Sequence, residues 1–425
     1  MSGARQSTVR TAFAGLIGNV LEWFDFAVFG YFSAEIGANF FPSSNPTAQQ
    51  LKTFAAFALG FGARPIGSLV LGPIGDRIGR RALLTLSIAV MGAATLAVGL
   101  LPTYAQVGVL APVLLVLLRL IQGFSLGGEF TGSMVYTTEL ASPLMRGLVS
   151  SSTAAGTTLG FFLGSGSSAL LGKLLSAPQK ESWGWRVPFI ASVLLCLAGW
   201  LLRRGLRESE EGEKAAAARP PLWSSLADDW RPMLQTFGIV AMINAAYYLT
   251  FTFAVEYRKS HAGPDQPDFQ TINTLVLLVV LLAKPLGGWL SDLVGRRRLM
   301  LLLTFLAAAM FYVGFDMMRT GTASQFATGQ IMLAVPLGMA LGLQGAMVVE
   351  IFPLRTRVTS MSLAYSITLA LSGGIAPFLA TWLIDSQHQL MGPVYLILAY
   401  GVIGVAVIWP MRETNSRKLD ILTAT

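Results

Sequence analysis

The chain has 425 residues, of which 53% are apolar and 12% charged, and its 30 lysines and arginines outnumber its acids to give a net charge of +8. Soluble domains carry roughly 25% charged residues; at half that density water cannot solvate the apolar surface, which excludes a soluble globular fold. A single cysteine, Cys196, excludes an internal disulfide.

The apolar residues come in long blocks. About 20 consecutive apolar residues cross a hydrocarbon core as a helix. No strand-like alternation competes, and backbone groups in lipid must be bonded locally, which also selects helices. The pattern predicts spans at 12–34, 53–74, 83–101, 107–139, 148–173 and 187–204, then at 233–256, 269–291, 298–318, 325–350, 357–385 and 392–410. The first is expected to be retained, because its apolar run continues past Tyr31 without a small-residue cleavage site. The expected fold class is an all-α membrane protein with twelve transmembrane helices in two six-helix bundles, 1–205 and 231–425. A charged linker at 206–230, with Glu208, Glu210, Glu211, Glu213 and then Pro220 and Pro221, joins them.

Basic residues order the loops. With both termini in the cytoplasm, the cytoplasmic segments hold 20 of the 30 lysines and arginines, among them Arg77, Arg80, Arg81, Arg146, Arg296, Arg297 and Arg298. The positive-inside rule then sets the orientation. It also accounts for the basic charge without a nucleic-acid partner.

The two halves repeat. Gly72-Pro-Ile-Gly-Asp76-Arg77-Ile-Gly79-Arg80-Arg81 follows span 2, and Gly288-Trp-Leu-Ser-Asp292-Leu-Val-Gly295-Arg296-Arg297 follows span 8, an offset of 216 residues. A weaker echo pairs Glu139 and Arg146 with Glu350 and Arg357. Repeated halves point to a transporter with a midplane site between them.

The first of these segments resembles the loop signature of the major facilitator superfamily. Further stretches are similar to its metabolite:proton symporter family: Gly18-Asn19-Val-Leu-Glu22-Trp-Phe-Asp25-Phe, Arg64-Pro65-Ile-Gly67, Arg119-Leu-Ile-Gln122-Gly123-Phe-Ser-Leu-Gly127-Gly128-Glu129 and Trp183-Gly-Trp185-Arg186-Val-Pro188-Phe. The resemblance covers nearly the whole chain. It implies a carrier of citrate or other di- and tricarboxylates, of aromatic or cyclic acids, or of zwitterionic osmolytes such as proline and betaine. Leu293 stands where the first loop has Arg77, which leaves the second copy with less charge. An aspartate in such a loop can meet an arginine or a helix N-terminus. Gly72, Asp76, Arg77, Gly79, Arg80 and Arg81, with Asp292 and Arg296, are therefore expected to latch the halves in the outward-open state.

Away from the span ends, six charged residues lie within apolar spans: Glu22, Asp25, Arg64, Arg119, Glu129 and Lys284. A charge at the bilayer centre costs about 2.5–3.5 kcal/mol on insertion scales and usually marks a pathway or proton relay. Glu22 and Asp25 are three residues apart and share a helix face. Two close carboxylates resist joint ionisation, so Asp25, Glu22 and Glu129 are the expected proton-coupling residues. Arg119 keeps its charge and can grip a carboxylate with two bonds, and Arg64 and Lys284 add positive charge. Asn244, Tyr247, Tyr248 and Phe251 recur at helical spacing in span 7. With Asn19, Gln122, Gln344 and Tyr365 they offer polar groups in an aromatic-lined site for a small organic solute. Structural ion pairing and interhelical polar contacts are the alternatives for each residue.

Four-residue glycine spacings at Gly123 and Gly127, at Gly156, Gly160 and Gly164, and at Gly338 and Gly342 predict close helix packing. Pro65, Pro285, Pro336 and Pro377 are expected to bend their spans. Against an enzyme, His261 and His388 fall in predicted outer loops, no His/Cys cluster has metal-ligand spacing, and no G-x-x-x-x-G-K-[ST] motif exists. A sensor would carry an output domain, whereas about 15 residues follow the last span.

The expected function is proton-coupled symport of a small organic acid, a di- or tricarboxylate such as citrate, by alternating access in a bacterial inner membrane. A zwitterionic compatible solute is the alternative substrate, and a membrane enzyme or sensor the alternative class. The first and eleventh spans most resemble the citrate carriers, and the osmosensing relatives have a long C-terminal coiled coil. No cofactor is expected, and the functional unit is expected to be a monomer.

Overall fold

In the computed structural model, which describes residues 8–78, 80–203, 226–261, 267–354 and 356–414, helices occupy every predicted span. Side chains are described for 16, 19–71, 86–199, 226–260, 267–354 and 356–414. Spans 1 to 6 are Thr8–Tyr31, Pro46–Ile78, Arg80–Leu100, Leu110–Ser125 with Glu129–Leu140, Arg146–Leu174 and Arg186–Arg203. Spans 7 to 12 begin at Trp230–Tyr248, Phe269–Val294, Arg296–Thr320, Ala323–Ile351, Arg357–Leu369 and Gly392–Ile408. Most of the 206–230 linker lies outside the described residues.

Among the described residues seven helices are individually long and apolar enough to cross a membrane. Two of the others fall short for local reasons. The helix before span 6, Ala177–Gly184, meets it at a 50° bend, and the apolar part of span 12 is the short Gly392–Ile408. Span 4 departs from the continuous helix expected at 107–139. It breaks between Ser125 and Glu129, where Gly128 takes φ +96°, a conformation open mainly to glycine. Spans 7 and 11 widen into π-turns at Leu249–Phe253 and Ala370–Gly374.

Apolar side chains face outward as well as inward. Leu282 is 74% exposed and Val402 71%, which water would penalise and lipid accepts. Inside the halves, glycines set the helix spacing. A Cβ at Gly156, Gly160 or Gly164 of span 5 would strike span 1 at Leu16, Val20 and Ala27. Gly123 and Gly127 lie against Gly60 and Gly67 of span 2, and Gly338 and Gly342 lie against Val280 and Lys284 of span 8. Between the halves, span 5 packs on spans 8 and 10, and span 2 on span 11.

Both ends of this interface are closed. At one face the Tyr31 hydroxyl donates to the Phe251 carbonyl at 2.7 Å, Asn273 donates to Tyr31 at 3.0 Å, and Ser165 meets Thr274 at 2.7 Å. At the other, the amides of Gly147 and Leu148 donate to Asp292 at 2.9 and 3.0 Å, Arg357 pairs with Glu139 at 2.7 Å, and Thr131 meets Ser362 at 2.6 Å.

Candidate functional site

Between these closures lies a small cavity of about 20 Å³, to which both halves contribute walls. Trp23, Phe130 and Phe161 come from spans 1, 4 and 5, and Tyr247, Tyr248 and Tyr365 from spans 7 and 11. The rings touch across the interface. Phe161 stands edge-on to Tyr247 at 5.2 Å and to Tyr248 at 5.7 Å, and Phe130 lies 5.4 Å from Tyr365.

One cation lines this wall. The Lys284 ammonium is buried and donates to the Ala154 carbonyl at 2.6 Å and to the Thr157 hydroxyl at 2.9 Å, both on span 5. It also lies 5.8 Å from the Tyr247 ring centre, within cation–π range. The close approach of Gly342 to the Lys284 backbone sets this position. A short polar chain completes the wall: Asn244 donates to Gln344 at 3.4 Å, and Gln344 donates to Tyr365 at 2.9 Å. Of the residues expected to contact a solute, Asn244, Tyr247, Tyr248, Lys284, Gln344 and Tyr365 line the cavity.

The other expected contacts lie elsewhere. Arg119 is sealed inside the first half, with Nη1 on Asp25 at 2.5 Å and on Gln122 at 2.8 Å. Gln122 in turn donates to Asp25 at 2.7 Å and to Thr95 at 2.8 Å. Phe26 and Phe29 cover the guanidinium at 4.6 and 4.5 Å. Arg64 pairs with Glu22 at 2.8 Å beneath Phe26 and Phe61. Asn19 donates to Ser133 at 3.2 Å, within the same half. None of these four, Arg119, Gln122, Arg64 or Asn19, lines the cavity. The expectation that Glu22 and Asp25 act as one mutually repelling carboxylate pair is corrected. Each meets its own arginine, Glu22 that of span 2 and Asp25 that of span 4. Glu129 is buried at the first turn of the helix after the span 4 break.

At the closed face, Asp292 meets both kinds of partner that its loop position suggested. It caps the N-terminus of span 5 and accepts from Arg296 at 3.0 Å. Arg296 also reaches Glu350 at 2.6 Å. The first-half copy falls outside this description: Gly79 is not among the described residues, nor are the side chains of Asp76, Arg77, Arg80 and Arg81, or the surroundings of Gly72. Phe251, grouped with the span 7 tyrosines by spacing, instead accepts from Tyr31 at the opposite closure.

Trp23, Phe130, Phe161, Ala154 and Thr157 were not anticipated as lining residues. The glycine face of span 5 held a usable signal for two of them. Gly156 and Gly160 pin that helix to span 1, and Thr157 and Phe161, each one residue on, look into the interface.

Comparison with known proteins agrees with this architecture. Residues 11–219 match the family described as "Sugar (and other) transporter", and residues 236–421 match the Major Facilitator Superfamily. The chain is 32% identical to the proline/betaine transporter of Salmonella typhimurium, over 96% of this chain and 84% of that one. It is 36% identical to the inner membrane metabolite transport protein YhjE of Escherichia coli, over 96% and 94%. The xylose transporter XylE from E. coli, solved in a partially occluded inward-open conformation, superposes with a TM-score of 0.73 at 18% identity, over 96% of this chain and 98% of that one.

Proposed function

We propose that this chain, which belongs to the major facilitator superfamily, is a secondary carrier that moves a small zwitterionic solute of the proline/betaine type together with protons, by rocking its halves about the central cavity. The observation that carries this reading is the placement of one cation, Lys284, beside an aromatic wall. A zwitterion presents one carboxylate and one ammonium centre. Lys284 suits the carboxylate, and the ring faces suit a weakly hydrated ammonium. A tricarboxylate needs several cations, and the two arginines expected to supply them are each committed to a carboxylate of span 1. The relatives named as proline/betaine transporters support the same class. An organic acid with one carboxylate is the second reading, favoured by Lys284 alone.

In this reading protons load onto Asp25, Glu22 or Glu129. Arg119 cannot give up its charge. Neutralising Asp25 therefore leaves a buried cation without its counter-charge, which favours repacking of spans 1 and 4. Asp292 and Arg296, with Asp76, Arg77, Arg80 and Arg81 of the first loop, form the latch at the cytoplasmic face. The carrier works as a monomer in a bacterial inner membrane, with both termini in the cytoplasm.

Reconstitution into liposomes tests the reading. Proline or glycine betaine should accumulate under an inward proton gradient and leak out when a protonophore is added. Accumulation of citrate with neither zwitterion would transfer the assignment to organic acids, and no flux of any of them would end both.

A further inference from the structure

Lys284 belongs to span 8 of the second half, and both of its hydrogen-bond acceptors belong to span 5 of the first. Those acceptors are oriented for it. The Thr157 hydroxyl donates its own hydrogen to the Ala154 carbonyl at 2.7 Å, which leaves its lone pairs for the ammonium. Among the described residues no carboxylate forms an ion pair with Lys284; Glu22 and Asp25 sit on Arg64 and Arg119. A buried ammonium needs its hydrogens accepted, because an unbonded charge away from water is strongly disfavoured.

We propose that Thr157 and the Ala154 carbonyl are a resting place for Lys284, standing in for the solute carboxylate while the solute-free carrier changes orientation. The proposal rests on the transport reading above and deepens it. A carrier that accumulates solute must return without it. During that return the halves close around a cavity that contains the Lys284 charge. With the two span 5 oxygens the ammonium is satisfied and the halves are drawn together. Without them, closure around an unbonded cation is opposed. When solute is bound, its carboxylate takes over the ammonium, and closure no longer depends on Thr157. Thr157 is thus a positioning residue acting through Lys284, and it governs the empty return step in particular.

Two fluxes separate that role from a merely structural one. Net uptake of labelled proline, glycine betaine or citrate into proteoliposomes requires the empty return, and exchange against the same solute inside does not. Thr157→Val and Thr157→Ala should lower the ratio of net uptake to exchange about ten-fold, the size expected for one lost hydrogen bond to a charged group. Thr157→Ser, which keeps the hydroxyl, should restore the ratio. An unchanged ratio in both variants, or a proportional loss of both fluxes, would overturn the proposal. If the unaltered protein exchanges none of these solutes, the transport reading fails first and the proposal falls with it.

Discussion

Asp25 and Arg119 meet at 2.5 Å inside the first half, and neither side chain has any exposed surface. Breaking such a buried pair from one side costs about 3–5 kcal/mol, because the remaining charge is left uncompensated. Asp25→Asn should therefore lower the melting temperature sharply and abolish the dependence of uptake on a proton gradient. The double variant with Arg119→Gln should recover much of the stability and none of the coupling. Thermal unfolding in detergent and gradient-driven uptake check the two parts. If Asp25→Asn alone keeps both, Asp25 neither anchors the half nor carries the proton.

Lys284 lies on the cavity wall and, among the described residues, finds its acceptors in the opposite half. Removing its charge should weaken carboxylate-bearing solutes by about 10- to 100-fold, the range for a hydrogen bond to a charged group. Lys284→Gln in a binding titration of glycine betaine reads this directly. The same titration with Arg119→Gln should report lost stability before lost affinity, since Arg119 does not line the cavity. Equal affinity in Lys284→Gln and the unaltered protein would remove Lys284 from the binding site.

The positions of the spans and of their buried charges were legible in the sequence, because ionisable groups such as Glu22, Arg64 and Lys284 are conspicuous in apolar runs. Their partners were not. Three-residue spacing puts Glu22 and Asp25 on one face of span 1, but which arginine each meets depends on how spans 2 and 4 pack around it. Arg119 and Lys284 look equivalent as isolated cations in helices, yet one is sealed by Phe26 and Phe29 and the other lines the cavity. Trp23, Phe130 and Phe161 could not be told from lipid-facing aromatics, since water does not distinguish the two sides of a membrane helix. The break in span 4 hid inside an apolar run, because a glycine at positive φ leaves no polar mark.

Gly342 sits against the backbone of Lys284, with no room for a Cβ between spans 10 and 8. Gly342→Ala must push span 8 outward, and overpacking of this kind costs typically 1–3 kcal/mol. The variant should reproduce part of the affinity loss of Lys284→Gln although it adds no group that touches solute. A binding titration alongside a melting curve tests this. Unchanged affinity with an intact fold would show that the Lys284 position does not depend on the helix spacing.

Two of the contacts that close the same face should differ in strength. Asp292 is almost fully buried, accepts the amides of Gly147 and Leu148 and pairs with Arg296. Asp292→Asn presents an amide to one of those amides, and leaving a buried donor unsatisfied costs about 1–3 kcal/mol. The Glu139–Arg357 pair joins the same halves at 2.7 Å, but Glu139 is 40% exposed, and exposed pairs are worth about 0–1 kcal/mol. Ser362, buried against Thr131 at this interface, reports the opening as Ser362→Cys in a Cys196→Ser background. Thiol labelling there should rise about ten-fold or more in Asp292→Asn, since about 1.4 kcal/mol is a factor of ten, and only a few-fold in Glu139→Gln. Equal labelling in the two variants would mean that burial does not rank these contacts, and the assignment of Asp292 as the stronger clasp would be withdrawn.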